Sequence, residues 1–311
     1  MTQPIPLLID TDPGVDDALA LLMAFNAPGY EVVGLTIAAG NVGLDHTVRN
    51  ALKLCEVAGR DDVPVFPGCD RPLLHPAPDA AYVHGRDGFG DTGYVPAARR
   101  AADEHAALAI LRLSREHAGR LQLVALGPLT NLALALRLDP ALPERVARLV
   151  VMGGAVTAHG NITPAAEFNV HFDPEAAKIV FEAFPRIDLC DWEATLAHGL
   201  AHADVDRWLG AGTPRARFYD AISRRTRDWA KGLRGDRWHC ADGLAMAWAL
   251  APEGALATAE RPLDVDTGQG PGRGMTVVDW NRQTGRPDQV RILLRYDQAG
   301  FEAMAEAALA A

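Results

Sequence analysis

The sequence predicts an α/β fold with a mostly parallel central sheet, open and Rossmann-like, flanked by helices, with extra helices and strands in the C-terminal third. One observation is that short apolar runs of strand length alternate with segments of helical period up to about residue 190. Another is that polar or glycine-containing segments follow the apolar runs, as is typical where strands end. No linker, repeat or low-complexity tract interrupts the chain, so we expect residues 1–311 to form a single domain.

The first 70 residues predict the order β-α-β-α-β. Residues 5–10 are an apolar run that ends in acid, which is typical of a buried strand. Residues 15–25 have helical period, residues 31–37 are β-branched and strand-like, and residues 44–58 are again helical. Residues 63–66 complete this unit as a short strand.

The middle of the chain continues the alternation after one long loop. Residues 69–98 are rich in Pro, Gly, Asp and His without a clear period, and long loops inside compact domains are usually functional. The elements that follow are predicted strands at 121–126, 148–152 and 187–190 and predicted helices at 103–117, 129–138 and 174–183.

The C-terminal third departs from strict alternation. After Asp191 the pattern is helical through about Leu250. Strand-like runs follow at residues 262–266, 275–280 and 290–295, and a last helix is predicted at 298–310.

Composition and charge exclude several classes of protein. The net charge of −10 argues against a nucleic-acid partner, which would need a basic footprint, so we interpret the basic stretch 215–237 as a solvated helix face. No apolar run approaches the roughly 20 residues of a membrane span, so we expect no membrane association. The N-terminus lacks signal-peptide features, which predicts a cytoplasmic protein, and the four dispersed cysteines are expected to be free thiols.

Four carboxylates follow the first predicted strand within eight residues: Asp10, Asp12, Asp16 and Asp17. Helix capping explains one or two of them, because acid is favoured at a helix N-terminus. Four at one strand end repel each other in a partly buried site unless a cation neutralises them. An all-oxygen set suits a hard divalent cation, and the absence of a His/Cys cluster disfavours zinc.

Polar side chains also stand at later strand ends and at the start of a later helical run. They are Asn41, Asn131, Glu167, Asn169 and Asp242. Ligands of parallel α/β sheets bind outside the carboxyl ends of the strands. The sequence therefore predicts one ligand site at this edge of the sheet.

The segment DTDPGVDDA at residues 10–18 resembles the N-terminal signature of the nucleoside hydrolases, the inosine-uridine-preferring family. Further matching segments follow in the order and at the spacing of that family. They are AGN at 39–41, HG at 84–85, GPLTN at 127–131, VMGG at 151–154 and AEFN at 166–169. The similarity extends from about residue 5 to the C-terminus.

The resemblance implies a calcium-dependent enzyme that hydrolyses the N-glycosidic bond of ribonucleosides and releases ribose and a nucleobase. It makes Asp12 the general base that activates a metal-bound water, and Asp10 a carboxylate that orients the ligands. The calcium ligands that it implies are Asp12, Asp17, Asp242 and the main-chain carbonyl of Leu126. General chemistry agrees, because such cleavage passes through an oxocarbenium-like state and a metal lowers the pKa of its water.

The resemblance also implies a substrate-binding set and an assembly. Asp16, Asn41, Glu167 and Asn169 are expected to hold the ribose hydroxyls. His84, Met152, Phe168 and Trp238 complete the residues expected to contact the nucleoside. A small-molecule nucleoside is the expected partner, and the family's habit predicts a homodimer or homotetramer.

One position departs from the family pattern. In part of the family a histidine directly precedes the last metal-ligand Asp and protonates the leaving base, but Ala241 stands there in this chain. His239 takes that role only if its segment is a loop rather than a helix. The alternative is activation by aromatic stacking, for which Tyr82, Trp229 and Trp238 are candidates.

Two other functions are weighed against this one. A phosphohydrolase of the haloacid dehalogenase type fits Asp10-Thr11-Asp12, but Gly14 replaces its expected hydroxyl residue. A non-catalytic nucleoside or ribose binder fits the loss of the acid at Ala241, but binding alone does not require Asp12.

Overall fold

The computed structural model describes residues 3–311. Its centre is an eight-stranded sheet in the order β3-β2-β1-β4-β5-β6-β12-β9. These strands are β1 (Ile5–Thr11), β2 (Tyr30–Ile37), β3 (Val65–Pro67), β4 (Leu121–Ala125), β5 (Val146–Met152), β6 (Ile187–Cys190), β9 (Ala255–Arg261) and β12 (Val290–Tyr296). All neighbours pair in parallel except β9, which is antiparallel to β12. The predicted fold class is therefore confirmed.

Helices cover both faces of the sheet. They are α1 (Val15–Phe25), α2 (Leu44–Ala58), α3 (Ala81–His84), α4 (Ala106–Glu116), α5 (Thr130–Leu138), α6 (Phe168–Phe172), α7 (Pro174–Ala183), α8 (Trp192–Ala197), α9 (His202–Leu209), α10 (Pro214–Arg234), α11 (Ala241–Leu250) and α12 (Gln298–Ala310). Two small antiparallel sheets pair β7 (Leu200–Ala201) with β8 (Arg237–Trp238) and β10 (Leu263–Val265) with β11 (Thr276–Val278).

The core consists of two apolar layers separated by the sheet. Leu7 and Ile9 of β1 face a layer that contains α1, α11 and α12, whereas Leu8 faces a layer that contains α4, α5 and α7. Because strands covered on both faces bury every side chain, β1 and β4 are continuous apolar runs rather than alternating ones.

Several predicted elements have the observed bounds, among them α1, α2, α7, α12 and β6. The edge strand β9 was not predicted, because its residues alternate between half-buried and exposed positions and carry little apolar signal. The predicted loop 69–98 contains the short helix α3. The prediction of a single domain stays a prediction, although β12 from the end of the chain lies beside β6 in the same sheet.

The interpretation of residues 215–237 as a solvated face is wrong for Arg227 of α10. Its guanidinium is buried and pairs with Asp206 at 2.5 Å and with Asp220 at 2.6 Å. The four cysteines are free thiols, as expected. In the described part of the chain, no helix combines the length and apolar character that crossing a membrane requires.

Candidate active site

The carboxyl ends of the central strands meet where β1 leads into α1. The register places Asp10 beside Thr36 of β2 on one side and beside Ala125 of β4 on the other. Asp10 accepts hydrogen bonds from Thr36 Oγ1 at 2.6 Å and from Asn131 Nδ2 at 2.9 Å. Burial raises the pKa of Asp10 to about 6. This carboxylate ties β1, β2 and α5 together directly below the site.

Asp12 lies in the turn after β1 and is 1% exposed. One of its oxygens accepts a hydrogen bond from the Asn41 main-chain N–H at 2.7 Å. A β-carbon on Gly40 or Gly127 would overlap with the Asp12 carboxylate, so both positions require glycine for steric reasons. Burial, followed by repulsion from Asp17, raises the pKa of Asp12 well above its usual range.

Asp17 is held in the first turn of α1. It accepts hydrogen bonds from the Thr11 hydroxyl, from the Gly14 N–H at 2.9 Å and from Asn41 Nδ2 at 3.0 Å. Burial and the nearby Asp16 raise its pKa. Asn41 therefore links the loop after β2 to both Asp12 and Asp17.

Asp16, Asp17 and Asp242 form a carboxylate triad, in which one oxygen from each side chain lies within 4.8 Å of the others. Asp242 comes from the first turn of α11, which packs on α1. Burial raises the pKa of Asp242 well above its usual range, with repulsion from Asp16, Asp17 and Asp12 adding to the effect. Asp12 thus borders the triad.

The carboxylate groups fit a hard cation. Within residues 3–311, no Lys or Arg forms an ion pair with Asp12, Asp16, Asp17 or Asp242. The Asp16 Oδ1 atom is buried without a hydrogen-bond partner. Buried carboxylates of this kind are stable when a cation replaces their lost hydration. The compact triad includes Asp16, which the resemblance assigns to ribose, and Asp12 lies at its border.

His84 packs against the start of α1. Its Nδ1 accepts a hydrogen bond from the Val15 N–H at 3.2 Å and lies 3.9 Å from Asp16 Oδ1. Burial lowers the pKa of His84 to about 4. The ring is therefore neutral near pH 7 and carries its proton on Nε2.

Glu167 and Asn169 close another side of the site. Glu167 caps α6 and accepts hydrogen bonds from the N–H groups of Gly154 and Asn169, both at 2.9 Å. Burial raises the pKa of Glu167 to about 7. Asn169 Nδ2 donates to the Leu126 carbonyl at 2.6 Å and lies 3.3 Å from the Met152 carbonyl. These contacts join the ends of β4 and β5 to α6.

A pocket with about 860 Å³ of space between protein atoms, part of it open to solvent, lies above these groups. Eleven of the predicted site residues line it: Asp16, Asn41, His84, Leu126, Met152, Glu167, Phe168, Asn169, Trp238, His239 and Asp242. The predicted residues Asp10, Asp12 and Asp17 are almost fully buried and are not part of the lining. They lie beneath the acidic end of the pocket.

Another part of the pocket wall, which we call the aromatic end, is formed by Tyr82, Phe168, Trp192, Trp229 and Trp238. Tyr82 and Trp229 make an edge-to-face contact with ring centroids 6.4 Å apart, and both are partly exposed at the mouth. His239 lies in the short segment between β8 and α11 rather than on a helix, which brings it into the lining. Burial, with Arg234 nearby, lowers the pKa of His239.

Sequence reasoning missed several residues of the lining, among them Trp192 and Arg234. Trp192 follows Asp191 at the end of β6, and the rule that sites lie at strand ends is a signal that could have found it. Arg234 ends the 21-residue helix α10, and no local pattern distinguishes it from the other arginines of that helix.

An open, mostly parallel sheet with a carboxylate-lined pocket at its carboxyl edge defines an α/β protein with a metal-compatible ligand site. The family model "Inosine-uridine preferring nucleoside hydrolase" matches residues 7–303. The pyrimidine-specific ribonucleoside hydrolase RihA of Salmonella paratyphi B is 37% identical over 302 residues, which is 96% of each chain. The probable uridine nucleosidase 2 of Oryza sativa subsp. japonica is 43% identical over 225 residues, 72% of this chain and 67% of that protein.

A solved structure described as the plant nucleoside hydrolase PpNRh1 superimposes with a TM-score of 0.94 at 30% identity, covering 99% of each chain. The chain belongs to the inosine-uridine preferring nucleoside hydrolase family. It is a nucleoside hydrolase, a metal-dependent enzyme that converts ribonucleosides to ribose and a free base. The resemblance seen in the sequence is confirmed, and the phosphohydrolase alternative is wrong.

Proposed function

We propose that this nucleoside hydrolase is calcium-dependent and that Asp12 takes the proton from the attacking water. The observation that carries the proposal is the carboxylate triad of Asp16, Asp17 and Asp242, with the Asp12 charge close enough to raise the pKa of Asp242. No Lys or Arg side chain of residues 3–311 forms an ion pair with any of these four carboxylates. Calcium takes six to eight oxygen ligands, and carboxylate and carbonyl oxygens are the donors at hand. The residues that would hold the ion are Asp12, Asp17, Asp242 and the Leu126 carbonyl.

A bound calcium ion supplies positive charge to the carboxylates and lowers the pKa of water at the site. Positive charge beside Asp12 also offsets the repulsion from Asp17, which raises the Asp12 pKa. The ionised form of Asp12, which is able to accept a proton, is favoured by that charge. Its hydrogen bond from the Asn41 N–H fixes the direction of the carboxylate.

The ribose is held at the acidic end of the pocket. Asp16, Asn41, Glu167 and Asn169 all line the pocket, and each is anchored by α1, by the loop after β2 or by α6. Carboxylate and amide groups there hydrogen-bond a sugar diol and stabilise positive charge that develops on the sugar ring. The nucleobase then occupies the aromatic end, against Phe168 and Trp238.

Uridine is the first natural substrate that we propose. Two relatives bear on this choice, because one is named pyrimidine-specific and the other is named a uridine nucleosidase. The neutral His84 and His239 offer N–H donors to a base, and the Tyr82–Trp229 pair offers aromatic surface at the mouth. The role of His239 as the leaving-group acid stays a prediction. A neutral imidazole is a weak acid, which argues against this role.

The test is ribose release from uridine, cytidine, inosine, guanosine, adenosine and 4-nitrophenyl riboside by the purified protein. Each substrate is measured after EDTA treatment and again after calcium is restored. Ribose release that EDTA abolishes and calcium restores, with uridine among the faster substrates, supports the proposal. Full activity in EDTA contradicts the calcium requirement, and a protein that binds uridine but cleaves no substrate contradicts hydrolysis.

Two predictions about the cellular form are separate from the chemistry. The homodimer or homotetramer rests on the resemblance and is measured by light scattering of the eluting protein during gel filtration. The cytoplasmic location also stays a prediction, and fractionation of cells that express the full chain measures it.

A further inference from the structure

Arg234 stands at the aromatic end of the pocket and was not assigned any role by sequence. It is the last residue of α10 and lines the pocket together with Tyr82 and His239. Its Cζ atom lies 4.5 Å from the centroid of the Trp192 ring, which also lines the pocket. Stacking on a buried indole holds a guanidinium in one plane and leaves its edge N–H groups for a ligand.

Within residues 3–311, the charge of Arg234 has no carboxylate partner. Other arginines of α10 form ion pairs: Arg224 with Asp220, Arg225 with Asp91, and Arg227 with Asp206 and Asp220. In the part of the chain that the structure describes, the Arg234 guanidinium forms no ion pair with Asp or Glu, and burial lowers its pKa from the usual value. An arginine keeps its charge under these conditions, so five N–H donors remain available at the pocket wall.

The leaving base needs such a partner in this chain. Ala241 precedes Asp242, so no side chain directly before that carboxylate provides a proton. His239 is neutral, because burial and the positive charges of Arg234 and Arg237 lower its pKa. A nucleobase that departs with the glycosidic electron pair carries negative charge, and a fixed cation stabilises charge of this kind.

We propose that Arg234 contacts the departing nucleobase and stabilises its negative charge, in place of a proton donor at position 241. The inference rests on the proposed function, because it concerns the same hydrolysis. The water oxygen forms a bond to the anomeric carbon, and one water proton passes to Asp12. The bond from the anomeric carbon to the base nitrogen breaks, and its electron pair stays on the base. The base anion pairs with the Arg234 guanidinium and takes a proton from solvent as it leaves.

If Arg234 stabilises the departing base, its removal should slow the cleavage of uridine more than that of 4-nitrophenyl riboside. Uracil is a poor leaving group, and its carbonyl oxygens accept hydrogen bonds from a guanidinium. The nitrophenolate of 4-nitrophenyl riboside needs no such help. An arginine that only stabilises the fold affects both substrates alike, whereas an arginine that contacts the leaving base affects the nucleoside alone.

The test compares Arg234→Met, which keeps the apolar packing on Trp192, with Arg234→Lys and with the control Arg224→Met. Arg224 lies on the same helix and is exposed. The substrates are 4-nitrophenyl riboside and the natural nucleoside that the wild type cleaves fastest. For Arg234→Met we expect kcat on the nucleoside to fall about 100-fold, as when one charge-stabilising donor is removed, with little change for 4-nitrophenyl riboside. The lysine variant is expected to recover part of the loss, because it restores charge without the planar fork.

Equal losses on both substrates, or no loss on either, overturn the role of Arg234. A wild-type protein that cleaves neither substrate in calcium contradicts the proposed function itself, so the two failures are distinguishable. Activity on 4-nitrophenyl riboside also reports that each variant is folded.

Discussion

The variant Asp16→Asn tests whether Asp16 binds ribose or a metal ion. The structure places this side chain in the carboxylate triad. Asp16 is 21% exposed, and its buried Oδ1 has no hydrogen-bond partner. Burial raises the pKa of Asp16 to about 6 from an ordinary value of 3.8. The metal-free folded protein therefore carries a carboxylate that is less stable ionised than it is in the unfolded chain.

The loss in free energy of unfolding follows from the difference between the folded and unfolded pKa values of Asp16. A rise of about 2 pKa units corresponds to about 3 kcal/mol, since each unit is worth about 1.4 kcal/mol. Because the pKa is higher in the folded state, the free energy of unfolding decreases as pH rises from about 4 to about 6 and is level above that. Asparagine does not ionise, so without calcium Asp16→Asn should raise the free energy of unfolding above pH 6 by up to about 3 kcal/mol. For a chain of this size the melting temperature should rise by up to about 5 °C.

The effect of calcium on the melting temperature distinguishes ribose binding from metal binding by Asp16. If Asp16 holds ribose, calcium should raise the melting temperature of Asp16→Asn as much as that of the wild type, because Asp12, Asp17, Asp242 and the Leu126 carbonyl remain. The value of kcat/KM for uridine should fall about 100-fold, since a charged contact to the sugar is lost. We expect this outcome. A calcium effect that disappears in the variant identifies Asp16 as a metal ligand instead.

The assay is thermal unfolding in EDTA and in saturating calcium, at about pH 4 and at about pH 7.5, with Asp45→Asn as the control. Asp45 is an exposed aspartate in the first turn of α2 and lies outside the pocket lining. A variant that is no more stable than the wild type in EDTA at about pH 7.5 refutes the reasoning about the buried charge.

Three further predictions concern the wild type, Gly127 and Arg227. The rise in melting temperature that calcium produces should increase between about pH 5 and pH 8, because burial raises the pKa values of Asp12 and Asp242 and calcium competes with protons for these carboxylates. Thermal unfolding with and without calcium across this pH range measures the effect. A rise in melting temperature that does not depend on pH contradicts the prediction. Gly127→Ala should lower kcat about 100-fold by displacing the Asp12 carboxylate, whereas Gly29→Ala, where the added carbon meets open space, should have wild-type kinetics. Arg227→Met should lower the free energy of unfolding by about 2 kcal/mol in urea, because it removes the charge-assisted hydrogen bonds from the buried guanidinium to Asp206 and Asp220, and an unchanged midpoint is evidence against these ion pairs.

Much of the site could be predicted because the order of strands in the sequence determines which residues lie at the carboxyl edge of the sheet. Parallel strands end at a common edge, so polar residues that follow different strands come together without any knowledge of side-chain packing. Asp10, Asn41, Leu126 and Met152 reach the site in this way. The bounds of α1 were readable for a local reason, because Pro13-Gly14 forms the turn that precedes its apolar period.

The rest depends on contacts between elements distant in sequence. Arg234 reaches the pocket because α10 ends beside α8, where Trp192 lies, and neither segment contains a local sign of that meeting. Arg227 looks like its exposed neighbours in sequence, yet acidic side chains of α9 and α10 enclose it. The grouping of Asp16 with Asp17 and Asp242 depends on side-chain directions at two helix starts, which spacing alone does not give.

The measurement that tests the central claim most directly is ribose release by Asp12→Asn at saturating calcium, with calcium binding measured on the same sample by titration calorimetry. Asparagine keeps an oxygen at the position of the Asp12 carboxylate but cannot accept the water proton. We expect calcium still to bind and kcat for uridine and for 4-nitrophenyl riboside to fall at least about 1,000-fold, within the range of losses for a general base. A calcium-bound Asp12→Asn protein with a kcat close to that of the wild type would contradict the assignment of Asp12 as the base.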